Sequence, residues 1–600
     1  MKHFTKKLLA LLLALTLLGS GIALGYSALA LSEPAPSAAE TVLSTGSAQG
    51  FVDNLRDAIN SILRILLLPF QAKGSTSMTF DLDAAGKIIG NKFSDINTWS
   101  LHGRWSDGQL DPAQFAERYP FARTLQFMTA TGGNATRDLF IDPNDRTTLT
   151  DYKFEPLLAA CRHVLSLGMK PMIKTGAVPL KLSTNPIISG SFGVNVLPPD
   201  DFDQYYTYIK AAAQALVDEF GVEEIKTWSF GVLTEFENVE WFYVPGLLGV
   251  PSPWASKQAY FQLYDTTVAA LQDVLGPENL TVGAHAMTGL LGIGFWSVAD
   301  FVKHCGNGTN YATGKTGTQL DFLAASYYDT KPGSPSVQTL GQHFSLLKKW
   351  AKDAGLEGLR YGVDEGRVMN GPDDKPLLAR IVGMSWQGSV DARHFKSMIE
   401  NDIDWFATWD GALDLWNDGA EPVSTHIAFL GYQMENDRYI KSKTAGRPVC
   451  LTDQIDGIGG YDSDTNTARF MIYNYNRSPE AGSAEPVQLT INNVGRINSS
   501  KVTVREYLID DDHANFWPLW WEDQQKRGLT GDDFGIWSRY GNQPTLVKPE
   551  DAQFFQANKT RYQEAAELKY TEYEVPVKNG AIQLTPTLQR HGVGFYEIFS

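Results

Sequence analysis

Six hundred residues, 43% of them hydrophobic and 20% charged, suffice for one large domain plus a smaller one and are too many for a single core. A formal charge of −17, without clustered Lys and Arg, argues against nucleic acid as a partner. Three scattered cysteines, Cys161, Cys305 and Cys450, support neither a disulfide framework nor a zinc cluster, so no metal or cofactor is expected and any metal site would need oxygen ligands.

The chain opens on Met1-Lys-His-Phe-Thr-Lys-Lys7, runs uncharged from Leu8 to Leu18, and reaches Ser27-Ala-Leu-Ala30. This pattern predicts an export signal over 1–30 cleaved after Ala30, and hence a secreted protein. The alternative is an uncleaved anchor, because the low-charge stretch is long enough to span a bilayer; membrane contact is expected only through this segment. Residues 31–75 read as a Ser, Ala and Pro-rich linker, followed by an amphipathic helix with Phe51, Leu55, Ile59, Ile62 and Leu66 on one face. Such a helix packs on its own protein or lies on a membrane.

From 76 to 440 apolar strands alternate with amphipathic helices. Strands are expected at 124–129, 170–175, 227–233, 280–286, 322–328, 359–363 and 405–409, with helices near 154–167, 205–220, 258–275, 344–354 and 377–399. About eight such units argue for an α/β fold, a closed (β/α)8 TIM barrel. Past 440 the helical period fades, and strands at 468–475, 487–491, 501–508 and 592–599 predict a C-terminal antiparallel β-sandwich over 441–600. Asp462-Ser-Asp-Thr-Asn466 imitates the start of a calcium loop but lacks its Gly and closing Glu, so it reads as a hairpin turn.

Two of the barrel strands end in glutamate. Thr227-Trp-Ser-Phe-Gly-Val-Leu-Thr-Glu235 and Gly358-Leu-Arg-Tyr-Gly-Val-Asp-Glu365 would put both carboxylates on the rim where barrel enzymes keep their chemistry. Paired carboxyls can serve as proton donor and nucleophile, and glycosidic bond cleavage is the commonest reaction needing such a pair without metal or cofactor. On residue pattern alone Glu237 and Glu240 compete with Glu235. Asp364 competes with Glu365, although strand alternation would aim it at the opposite face.

Several motifs occur together in one order. Leu149-Thr-Asp-Tyr-Lys-Phe-Glu-Pro, running on to Gly168-Met-Lys-Pro-Met-Ile-Lys-Thr-Gly176, resembles the third-strand region of glycoside hydrolase family 39, the family of β-xylosidases and α-L-iduronidases. Trp228-Ser-Phe-Gly-Val-Leu-Thr-Glu235 is similar to its fourth-strand motif, Asp321-Phe-Leu-Ala-Ala-Ser-Tyr-Tyr328 to its sixth, and Val363-Asp-Glu-Gly366 to its nucleophile segment. Ile509-Asp-Asp-Asp-His-Ala-Asn515 resembles a sandwich motif of the same family. The resemblance implies a retaining glycoside hydrolase acting on an oligosaccharide or polysaccharide-derived glycoside, with Glu235 as acid/base and Glu365 as nucleophile. It also places Tyr328 on the aromatic position of the sixth strand and Trp409 where an indole floors the sugar subsite.

The sequence departs from the pattern in places. Thr234 takes the position before the acid/base where an Asn amide usually holds a sugar hydroxyl, strand two offers Gln126 and Met128 instead of a basic residue and His, and Ser326 stands where His is frequent. A weakly active or non-catalytic carbohydrate-binding protein on the same fold is therefore the alternative. His285, ending the fifth barrel strand, is a candidate substrate contact or a structural histidine. Arg367 could pair with a sugar carboxylate or merely balance the charge of Glu365.

Overall fold

The computed structural model describes residues 76–101, 108, 110–190, 192–287, 295–328, 339–367, 384–409, 420–445, 453–476, 479, 481–528 and 549–600. The expected leader, linker and amphipathic helix, residues 1–75, lie outside them, as does Cys450. No helix among the described residues is long and apolar enough to cross a membrane.

The first strand, β1 (Thr76–Asp81), does not begin the barrel as expected. It pairs with β15 (Glu485–Asn492) and with β12 (Lys443–Ala445), so the chain starts in the C-terminal domain and then leaves it. The barrel follows: β2 (Asp95–Ser100), β3 (Thr124–Thr129), β4 (Lys170–Thr175), β5 (Ser229–Val232), β6 (Val282–Ala286), β7 (Phe322–Tyr328) and β8 (Arg360–Arg367) pair in parallel in that order. The eighth strand is broken at Ala407 into β9 (Trp405–Phe406), which pairs with β8, and β10 (Thr408–Trp409), which pairs with β2 and closes the ring. Runs such as Thr124-Leu-Gln-Phe-Met-Thr129 are nearly continuous in apolar character because parallel strands are covered on both faces.

Helices on the outside start at identifiable caps. Asp201 accepts the N–H groups of Asp203 and Gln204 to open helix Phe202–Phe220, and Thr339 with Gln342 forms a reciprocal capping box for helix Leu340–Asp353. The helix expected at 377–399 is described from Ser385 to Glu400, residues 368–383 lying outside the described set.

The barrel interior is filled. Met172, Phe322, Ala324 and Trp405 form an apolar plug. The interior also holds polar groups, Asp95, Gln126, Lys174, His285, Ser326 and Asp364, all buried. Two glycines make room for these large groups: a Cβ on Gly362 would meet the Trp405 ring at 2.0 Å, and one on Gly231 would meet Lys174 Cγ at 2.9 Å.

The C-terminal sandwich packs the five-stranded sheet of β1, β12, β15, β18 (Ile582–Leu584) and β19 (Thr587–Leu588) on a six-stranded one. The latter runs β11 (Arg438–Lys441), β13 (Asp453–Asp462), β14 (Thr467–Asn476), β20 (Val593–Phe599), β16 (Lys501–Ile509), β17 (Tyr570–Pro576) and is antiparallel throughout. One pair, β1 with β15, is parallel, because β1 arrives from outside the meander. Strand β14 is buried on both faces: Phe470 and Ile472 enter the sandwich core, while Met471 and Tyr473 join the barrel core. Trp386 ties the two domains by donating its indole N–H to the Asn476 carbonyl at 2.8 Å. Asp462 to Asn466 is the turn between β13 and β14, with Asp462 Oδ1 accepting the Asp464 N–H.

The 441–600 segment is not all strand. Helices Trp517–Lys526 and Pro549–Ala566 form a satellite core of Phe516, Trp517, Trp520, Phe555, Tyr562 and Ala566 with Ala420. Of its described side chains the second helix buries only Phe555, Tyr562 and Ala566, on one face and among many polar residues, a signal too sparse to stand out in the sequence.

Candidate active site

Glu235 sits just beyond β5, the fourth barrel strand, in a turn clamped from both sides. Leu233 N–H donates to Thr175 of β4 and Phe236 N–H to His285 of β6. Between these clamps Leu233 and Glu235 adopt φ of 60° and 44°, a region non-glycine residues avoid. Phe236 is held by stacking on Tyr260 at 4.6 Å between centroids. Strain of this kind persists where the surroundings over-determine it, and it collects at functional sites.

Glu365 lies two residues before the end of β8, the seventh barrel strand. Between β7 and β8 the register shifts, with Ala325 opposite Val363 and then Ser326 opposite Glu365, so Asp364 is an extra residue. This bulge overturns the expectation that Asp364 faces away from the site. Its Oδ1 accepts from Trp405 Nε1 at 2.7 Å and Gln126 Nε2 at 3.1 Å, and Oδ2 pairs with Lys174 at 2.9 Å. Asp364 is thus spent on the barrel interior, while Glu365 is 7% exposed.

The two glutamates converge. One oxygen of each, with a ring nitrogen of His285, lie within 4.8 Å of one another. Glu235 Oε1 accepts from Ser326 Oγ at 2.7 Å and Oε2 from Asn238 Nδ2 at 2.8 Å, and Glu365 Oε1 accepts the Tyr328 hydroxyl at 2.5 Å. Burial and the charge of Glu235 push the Glu365 carboxyl up to about 8, against the opposing effects of Tyr328 and Lys174. Burial likewise raises Glu235, partly offset by Ser326 and Asn238. Two buried carboxyls this close share one proton near neutrality and titrate as a pair.

Behind them runs a relay that the sequence did not disclose. Lys174 Nζ lies 3.0 Å from His285 Nδ1, and His285 Nε2 lies 2.9 Å from Ser326 Oγ. Burial and the Lys174 charge hold the His285 pKa well below its ordinary value, so the imidazole is neutral. Lys174 can only donate, which puts the imidazole proton on Nε2, facing Ser326, and the serine proton on Glu235. Both ring nitrogens are therefore engaged by protein groups. A metal ion among Glu235, His285 and Glu365 would displace these contacts and face the Lys174 ammonium, so the donor set fits a metal poorly.

The remaining expected residues are distributed differently. Thr234 is 1% exposed and donates its hydroxyl to the Met128 carbonyl at 2.7 Å, which commits it to the main chain. Arg367 pairs with Tyr328 and Trp409 with Asn97 through their backbones, and their side chains lie outside the described residues. Of the rival acids, Glu240 accepts from Ser189 at 2.8 Å, and Glu237 is 0% exposed with burial raising its pKa well above normal. The cation lacking at Gln126 and Met128 is supplied one strand along, by Lys174, whose Nζ lies 3.2 Å from the Met128 sulfur. Its position inside β4, two residues before Gly176, is the one signal that could have found it.

The family described as "Glycosyl hydrolases family 39" matches residues 138–351. An alpha-1,4-L-rhamnosidase of Formosa agariphila is 25% identical over 305 residues, 49% of this chain and 54% of that protein. A beta-xylosidase of Geobacillus stearothermophilus is 28% identical over 186 residues, 31% of this chain and 32% of that one. The chain thus spans about half the length of the first relative and a third of the second. Among solved structures, a family 39 enzyme of Xanthomonas axonopodis pv. citri superposes with a TM-score of 0.59 at 11% identity, covering 88% of this chain and 98% of that one, a likeness of fold.

Proposed function

Because the chain belongs to glycoside hydrolase family 39, we propose that it is a retaining glycosidase in which Glu235 is the acid/base and Glu365 the nucleophile. The observation that carries this reading is how close they lie: one carboxyl oxygen of each falls within 4.8 Å of the other, which favours the short separation of a retaining pair. Retaining enzymes hold their carboxyls about 5 to 5.5 Å apart, inverting ones about 6.5 to 9.5 Å.

In the first half, Glu235 passes its proton to the glycosidic oxygen as the bond to the anomeric carbon breaks, and a Glu365 oxygen bonds to that carbon. In the second, Glu235, now a carboxylate, takes a proton from water; the water oxygen bonds to the anomeric carbon and Glu365 departs. Tyr328 stabilises the Glu365 carboxylate before attack and on release. Ser326 and Asn238 orient Glu235. The substrate class is an oligosaccharide or polysaccharide-derived glycoside, and the basic-apolar-small pattern of residues 1–30 supports export.

The test is a panel of aryl glycosides that includes α-L-rhamnosides, β-D-xylosides and α-L-iduronides, assayed with the wild type and with Glu365→Ala. Turnover that disappears in the variant, with net retention at the anomeric carbon, is expected. No turnover on any member, with glycan binding retained, would replace this reading with that of a carbohydrate-binding protein.

A further inference from the structure

On the flank of Glu235 the rim carries groups that the two-carboxylate chemistry leaves unused. Trp241 follows Glu235 in the same loop, stacks on Phe192 with centroids 4.5 Å apart, and tilts against Trp99 at 5.2 Å. Trp99 comes from β2 and Phe192 from the loop between β4 and β5, so three segments converge there. The bond from Ser189 to Glu240 pins the Phe192 loop to the Trp241 loop. Trp241 is buried while Trp99 and Phe192 are half-buried, which leaves a partly open aromatic ledge.

Arg137 stands against this ledge, its Cζ 5.9 Å from the centroid of the Trp99 ring. Among the described residues no acidic side chain pairs with it; burial alone lowers its pKa, and its Nη1 is buried without a hydrogen-bond partner. Its neighbour Asp138 is occupied, accepting the N–H of Gly133 at 2.5 Å and of Leu180 at 2.7 Å. Trp241 is spoken for, since its indole N–H lies near enough to Glu235 to help hold that carboxyl's pKa down. A charged donor withdrawn from water without an acceptor is costly, and nearly all such groups in folded proteins find a partner. A ligand that brings an acceptor to Arg137 would remove the cost.

We infer that Arg137 recognises a carboxylate on the leaving-group part of the substrate, seated on Trp99, Phe192 and Trp241. The assignment to the leaving group rests on the glycosidase reading, since the proton donor Glu235 faces the departing oxygen. A guanidinium fork matches a carboxylate better than a neutral hydroxyl, and the aromatic faces accept the apolar body that carries it.

The experiment compares two aryl glycosides of one sugar, with 4-carboxyphenol or the neutral 4-carbamoylphenol as leaving group. The sugar is the one the panel shows to be turned over, or L-rhamnose and D-xylose in turn if none is. The ratio of kcat/KM, carboxyl over carbamoyl, is measured in the wild type, Arg137→Met and Arg137→Lys. Taking the ratio cancels the intrinsic difference between the phenols. A fall of about tenfold or more in Arg137→Met, partly restored in Arg137→Lys, is expected for the loss of a charged hydrogen bond. An unchanged ratio overturns the inference and leaves the glycosidase intact. If the wild type turns over neither compound, the glycosidase reading fails, and tryptophan fluorescence titration with both decides the site separately. Preference for the carboxylate that vanishes in Arg137→Met supports it, and equal binding overturns it.

Discussion

Lys174 and Asp364 form an ion pair of 2.9 Å with both side chains wholly buried, joining the third and seventh barrel strands beneath the catalytic rim. The pair fixes more than two strands, because Lys174 also sets the tautomer of His285, and through Ser326 the orientation of Glu235. Removing one partner of a buried pair strands the other charge in a low-dielectric interior. Lys174→Met is therefore expected to lower unfolding stability by about 3–5 kcal/mol, read by urea or thermal denaturation. Lys174→Met with Asp364→Asn should recover a large part of that loss without restoring activity. A single variant as stable as the wild type would mean that Asp364 takes up a proton instead.

Ser326 lets the pH profile report on the relay. The working pair carries one proton, so kcat/KM follows a bell bounded by the two macroscopic steps of the pair. The Ser326 hydroxyl favours the ionised form of Glu235. Ser326→Ala should move the upper limb to higher pH by about half to one unit, equivalent to about 1 kcal/mol. A limb that stays in place, with only the amplitude reduced, would show that Ser326 acts on geometry alone.

Tyr328 should act on the opposite limb. Its hydroxyl lowers the pKa of Glu365 by donating to the carboxylate, so Tyr328→Phe should raise the lower limb and reduce kcat by about ten- to a hundredfold, the worth of a hydrogen bond to a charge. An unchanged lower limb would argue that the hydroxyl contacts the sugar rather than the nucleophile.

The barrel and the rim positions of Glu235 and Glu365 were legible in the sequence because parallel strands buried on two faces read as apolar runs, and each glutamate follows closely on such a run. What escaped were relations between strands. The bulge that turns Asp364 inward is a register shift, invisible in one strand's pattern. Lys174 reads as an ordinary strand residue until its neighbours Met128, His285 and Asp364 are assembled around it. The β1 strand alternates like any other, and only pairing shows that it belongs to the sandwich. Thr234 kept the position of a substrate contact but turned to a carbonyl of β3.

Stability should fall as pH rises from about 5 to 8. Burial raises Asp95 to about 6 and Asp138 to about 7 in the folded chain, and the buried Glu235–Glu365 pair keeps its one proton over the same range, all above ordinary values near 4. Between the unfolded and folded pKa the folded state holds more protons, so their stabilising contribution is complete below about pH 4 and lost through the folded values. Glu365→Gln removes one of these titrations. Its melting temperature should therefore drop less than that of the wild type between pH 5 and pH 8, measured in parallel by calorimetry. Identical slopes would indicate that the pair holds no shared proton above pH 5.

Glu235→Gln separates proton donation from everything else the residue does. Glutamine keeps the size and can still accept one of the two hydrogen bonds from Ser326 and Asn238, but has no acidic proton to give. Departure of an alkoxide needs that proton, whereas a nitrophenolate leaves without it. Natural-type glycosides should accordingly lose about a thousandfold in kcat/KM, within the usual 10²–10⁴ contribution of general acid catalysis, and nitrophenyl glycosides far less in the first step. The second step then lacks its base, so a burst of nitrophenol followed by slow turnover is expected, and added azide, which needs no base, should speed the steady state. Equal losses on both kinds of substrate, without azide rescue, would move the acid role to Glu240 or Glu237.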